Sequence, residues 1–150
     1  MKILIGALLL YIAQTAGAQA QQFPPNMLRV WLAVIDKEGT KQLYDLPRGT
    51  EGLGFLKVTG CMADRAGNCN TEGDLKITNP NSKVDVNLPK VKLWAGKPPA
   101  PGEWATGAVF GVSTEPNDPL GPYMLSAIVR DLVSGQVVEV YFTIKITQEK

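Results

Sequence analysis

The sequence predicts an all-β fold, a single antiparallel sandwich of about seven to nine short strands. Two observations carry that expectation. Apolar and polar residues alternate in short runs through residues 27–150, with Gly, Pro, Asn and Asp between the runs. No window there keeps a helical period for more than a turn or two.

The elements follow in order. Asn26 to Asp36 alternates, with Leu28, Val30, Leu32 and Val34 on one face and Arg29, Trp31, Ala33 and Ile35 on the other. Lys37-Glu-Gly-Thr40 reads as a turn. Gln42 to Leu46 is a short strand ended by Pro47-Arg-Gly49. Gly54 to Thr59 leads into a loop bounded by Cys61 and Cys69. Leu75 to Thr78 and Lys83 to Leu88 flank the turn Asn79-Pro-Asn-Ser82, and Pro89 is expected to end the second. Val91 to Ala95 follows, then the loop Gly96–Gly102. Trp104 to Val112 carries Gly107 and Gly111, which suggest a bulge or an edge strand. By parity Trp104 sides with Ala108, Phe110 and Val112, toward the core. After the loop Thr114–Pro122 come the strands Tyr123 to Asp131 and Gln136 to Thr147. In the last, Val138, Val140, Phe142, Ile144 and Ile146 share one face, and Glu139, Tyr141, Thr143 and Lys145 the other.

The N-terminus reads as a signal peptide over residues 1–20. Lys2 precedes an apolar run from Ile3 to Ala13, too short to span a bilayer. Ala16-Gly-Ala18 and Ala18-Gln-Ala20 both fit the small-residue cleavage pattern, with cleavage preferred after Ala20. Residues 21–26 are then a short lead and residues 27–150 the domain. The expected location is the periplasm or the exterior, with no membrane span.

The chain of 150 residues has 15 basic and 14 acidic side chains, and no histidine. Of these only Lys2 lies within residues 1–20, so the rest is charge-neutral, with 14 of each. Neutrality argues against nucleic acid as a partner. The missing histidine excludes Ser-His-Asp and Cys-His catalysis, and histidine-ligated zinc. Cys61 and Cys69 are the only cysteines, and in an oxidising compartment they are expected to form a disulfide. Closing so short a loop is worth about 2–3 kcal/mol.

Leu120-Gly-Pro-Tyr123 to Val129-Arg-Asp131, then a Ser-Gly turn and a long alternating strand, resembles the C-terminal hairpin of immunoglobulin-like domains. It is similar to the fibronectin III-like, cadherin-like and macroglobulin-like modules of exported bacterial proteins. The resemblance implies an immunoglobulin-like sandwich with a tendency to bind, and a tyrosine corner in which the Tyr123 hydroxyl bonds back to the preceding loop. The cysteines are too close in sequence to be the inter-sheet bridge of antibody domains.

No acidic pair sits in a catalytic motif, and there is neither a phosphate loop nor a nucleophile elbow. Asn68 to Asp74 places oxygen ligands as the start of a calcium loop would, but the twelfth position is Asn79 instead of a bidentate Glu. Turn chemistry accounts for that stretch, and no cofactor or metal is expected. Trp31 and Trp94 fall on the polar parity of their strands and are the candidate binding residues. The expected function is a non-catalytic binding or assembly module for a protein or glycan of the cell envelope. The alternatives are a small carboxylate-based hydrolase or lyase, and a structural subunit of an envelope assembly.

Overall fold

A computed structural model describes residues 24–148; the expected signal peptide lies outside the described residues. Eight strands follow one another: β1 (Arg29–Ile35), β2 (Asp45–Pro47), β3 (Glu51–Thr59), β4 (Thr71–Thr78), β5 (Val84–Trp94), β6 (Ala105–Ser113), β7 (Gly121–Asp131) and β8 (Val137–Thr147). They form a three-stranded sheet, β1-β3-β6, and a five-stranded sheet, β2-β8-β7-β4-β5. All pairings are antiparallel except β2 with β8. β1, β3 and β6 stand where strands A, B and E of an immunoglobulin domain stand. β8, β7, β4 and β5 take the places of G, F, C and C′. The chain is an immunoglobulin-like β-sandwich with no strand at the D position among the described residues.

The core lies between the sheets. β7 and β8 alternate as expected: Tyr123, Leu125, Ala127 and Val129 are buried, as are Phe142, Ile144 and Ile146. Leu32, Val34, Leu56 and Val58 face them from the smaller sheet. Gly54 is required on that inner wall because the Phe110 ring lies where its side chain would be. A Cβ there would come within 2.2 Å of a ring carbon. Gly60 ends β3 at φ 71°, and a Cβ there would stand 1.9 Å from the Met27 carbonyl oxygen.

Pro89 does not divide the strand that contains it. β5 runs unbroken from Val84 to Trp94. It is the outer strand of its sheet, so a residue without an N–H can face solvent there at no cost. The register slips beside Pro89-Lys90, between Gly73↔Val91 and Leu75↔Leu88. Lys90 takes φ 54°, and its N–H donates to the Asp74 carboxylate at 2.8 Å. β4 begins at Thr71, earlier than the sequence suggests, and takes in Glu72 and Asp74.

A three-stranded sheet cannot cover a five-stranded one. Leu93 of β5 packs against Gly107 of β6 and closes the sandwich at one end. At the other end β5 has no strand opposite it. Val84, Val86 and Leu88 are 45%, 36% and 46% exposed.

Candidate binding surface

The outer face of the smaller sheet carries the aromatic residues. Trp31 on β1 is directly opposite Lys57 on β3. The Lys57 ammonium lies 5.2 Å from the Trp31 ring centre and 5.9 Å from that of Phe55. At the end of the same face the Arg29 guanidinium sits 5.5 Å from the Trp104 ring centre. Trp31 is 36% exposed, Trp104 40% and Val109 52%. The surface is therefore two tryptophans with a cation held against each, a geometry in which ring and cation attract.

Trp104 corrects the sequence expectation, which turned it inward. Leu56 pairs with Ala108 and Lys57 with Thr106, so Gly107 is an extra residue bulged out of β6. One extra residue reverses the parity of everything before it. Ala105 then faces the core and Trp104 faces out. The signal was present as Gly107 in an alternating run, and counting parity through the bulge would have found the residue.

Trp94 is elsewhere. It sits at the end of β5, on the other sheet, half-buried against the core. The register slips between Thr71↔Trp94 and Glu72↔Lys92, so Leu93 is an extra residue and Trp94 lies opposite the fully buried Thr71 instead of on the outward face that its parity predicts. The Trp94 Nε1–H donates to the Lys97 carbonyl at 2.9 Å. The structure does not bring Trp31 and Trp94 onto one surface.

Cys61 and Cys69 form a disulfide, with Cα atoms 5.8 Å apart and both residues buried. The bridge closes the loop between β3 and β4. Asp64 organises the rest of that loop, accepting hydrogen bonds from the N–H groups of Ala66 and Asn68 at 2.8 and 3.0 Å. Asp131, fully buried, ties it to the β7–β8 turn. Its carboxylate accepts from Met62 N–H at 2.8 Å, Val133 N–H at 3.0 Å and the Ser134 hydroxyl at 2.7 Å.

The Tyr123 hydroxyl does not make the expected corner. It is buried and has no hydrogen-bond partner among the described residues. Burial raises its pKa first, and the carboxylates of Asp118 and Asp85 add to the rise. The loop Thr114–Pro122 bonds to itself and to Arg48 instead. Glu115 N–H donates to the Asp118 carboxylate at 2.7 Å, and an Arg48 Nη donates to the Asp118 carbonyl.

No protein-family model matches the chain, and neither does any curated protein. Solved structures do resemble it. A CARDB domain from Pyrococcus furiosus, determined in complex with di-metal ions, is 17% identical with a TM-score of 0.48, over 82% of this chain and 94% of that one. The sporulation control protein Spo0M of Bacillus subtilis is 13% identical with a TM-score of 0.49, over 81% of this chain and 50% of that one. The PKD domain of an M14-like peptidase from a Thermoplasmatales archaeon is 18% identical with a TM-score of 0.37, over 86% and 99%. None of them brings a residue role to this chain.

Among the described residues no three acidic or cysteine side chains are grouped to hold a metal ion. Glu72 and Asp74, from the stretch that resembles a calcium loop, lie on β4 and face Arg130 at 3.9 and 2.6 Å. The hydrogen bond from Arg130 holds the Asp74 carboxyl at about 2, below its ordinary 3.8, and the Lys90 N–H adds to the effect. A carboxylate with a lowered folded-state pKa adds stability above its unfolded value and loses it on acidification. The contribution of Asp74 should therefore be intact above about pH 4 and fade toward about pH 2. Urea midpoints of the native protein and Asp74→Asn should differ near neutrality and converge as the pH falls through that window. A gap that persists unchanged at the acid end would contradict this assignment.

Proposed function

We propose that this is a non-catalytic, exported binding module that docks a protein of the cell envelope through the outer face of the β1-β3-β6 sheet. Trp31 and Trp104 are its anchors. One observation carries the reading: two exposed tryptophans stand on a single sheet face, each backed by a cation. Tryptophan and arginine are the residue types that dominate protein interfaces when desolvated. A protein partner is favoured over a glycan because Lys57 and Arg29 already lie against the ring faces on which a sugar would stack. The disulfide supports export, since such bonds persist in oxidising compartments.

The exposed apolar stretch of β5 favours a second reading, a structural subunit joined by strand addition. Against it, β5 carries Pro89, a bulge at Lys90 and the exposed charge of Lys92. These are the devices by which edge strands resist pairing.

Trp31→Ala and Trp104→Ala should each leave unfolding free energy within about 1 kcal/mol of the native value, as surface changes do. Trp94→Ala should cost more, because its ring is packed and its N–H is bonded. Urea denaturation of the three variants separates the cases. A large loss from Trp31→Ala or Trp104→Ala would make those residues structural and remove the anchors.

A further inference from the structure

We infer that the cleft between β5 and β6 binds a small amphipathic amine, its apolar body between the sheets and its ammonium group on the Tyr123 hydroxyl and the Asp85 carboxylate. This does not rest on the reading of the aromatic face, which lies on the other side of the smaller sheet.

Three independent observations meet there. The first is space. With no strand at the D position, the sheets part beyond the Leu93–Gly107 contact and leave a cleft of about 240 Å³. Its walls are apolar side chains, the exposed Val86 on one side and the buried Val112, Leu125 and Ile144 behind it. A narrower extension shares Ile77, Val86 and Leu125 with it and runs toward Phe110. An apolar cavity of about 150 Å³ accepts a molecule the size of benzene, so a six-carbon chain fits.

The second is an unanswered polar group. Tyr123 is only 7% exposed, lines the cleft, and its hydroxyl has no hydrogen-bond partner among the described residues. Folded proteins rarely leave a buried hydroxyl unpaired, and each case asks for an explanation. A group entering from the cleft supplies the partner.

The third is charge. The lining includes Asp85, Glu115 and Asp118 and no basic side chain. Asp85 accepts one hydrogen bond, from the Asn79 amide at 3.1 Å, and a carboxylate has lone pairs for more. Arg48 reaches the loop from outside the lining and is turned to the Asp118 carbonyl. Arg48 is close enough to act on the Tyr123 hydroxyl, but the three carboxylates of the lining outnumber it, so a cationic head is favoured over a neutral or an anionic one.

The test is a calorimetric titration of the purified protein with hexylammonium, hexan-1-ol and hexanoate, with methyl NMR to place the site. Hexylammonium should bind and shift the methyl signals of Val86, Val112 and Ile144. Hexanol should bind at least about fivefold more weakly, and hexanoate not at all. Tyr123→Phe keeps the ring and should not lower the melting temperature, yet it should weaken hexylammonium by about tenfold or more. Asp85→Asn should weaken it in the same direction, which keeps the test decisive if one variant folds poorly. Equal affinity for the three probes would overturn the proposal. So would hexylammonium binding that neither substitution changes, methyl shifts confined to another surface, or no binding at all.

Discussion

Replacing Phe142 by alanine is expected to destabilise the fold by about 3–5 kcal/mol, the usual cost of removing a buried aromatic ring and leaving a cavity. Phe142 lies mid-way along β8 and is paired with Leu125 of β7. It is 9% exposed and sits in the same buried row as Ile144 and Ile146. Tyr44, 63% exposed, covers it from outside with ring centres 5.8 Å apart. The lid is held by the backbone, where Lys145 N–H donates to the Tyr44 carbonyl at 2.8 Å, so the segment before β2 cannot easily collapse into the space. Urea denaturation should show a lower midpoint with an unchanged slope. A cost under about 1 kcal/mol would mean that Phe142 is a surface residue and the β8 parity is wrong.

The second large effect is expected at Asp131. Alanine there leaves three donors in or beside a buried site without their acceptor: two backbone N–H groups and the Ser134 hydroxyl. Hydrogen bonds to a charged acceptor are worth about 1.5–3 kcal/mol each before relaxation, so a net loss of about 3–5 kcal/mol is expected. One donor, Met62 N–H, follows Cys61 directly, so carboxylate and disulfide restrain the same loop. Their effects should not add. Reducing the disulfide should cost the native protein about 2–3 kcal/mol, and Asp131→Ala measurably less, since neighbours that share a restraint couple. Thermal melts of both proteins with and without reductant give the four values. Strict additivity would show that Asp131 supports the β7–β8 turn alone.

Much of this architecture is legible in the sequence because β7 and β8 have a dry face and a wet face. With a side-chain period of two, that contrast sets parity and register together. The short-spaced cysteines are equally plain. The expectations that fail do so where one residue breaks the period. Gly107 turns Trp104 outward, and a parity count that ignores the bulge buries it. Pro89 looks like a stop because proline interrupts a central ladder, but on an outer strand its missing N–H points to solvent. Leu93 is likewise an extra residue in its strand, so Trp94 lies opposite the buried Thr71 and not on the outward face that an unbroken count gives it.

The candidate surface is less legible than the fold for the same reason. Trp31 is readable from its own strand. That Trp104 joins it on one face depends on a bulge and on a sheet order that only the folded chain displays. Tyr123 is the converse case. Its place at the start of β7 follows from the hairpin pattern, whereas the lack of a partner for its hydroxyl depends on where the loop Thr114–Pro122 sends its own polar groups.

The claim that the β1-β3-β6 face is the docking surface is tested most directly by site-specific photocrosslinking in the native envelope. A photoreactive residue replaces Trp31 in one variant, Val109 in a second, and Tyr141 in a third. Tyr141 is comparably exposed, at 56%, but lies on the larger sheet. The expected result is a discrete protein adduct of the same mass from the first two positions and none from the third. The same adducts from all three positions, or an adduct from Tyr141 alone, would contradict the assignment.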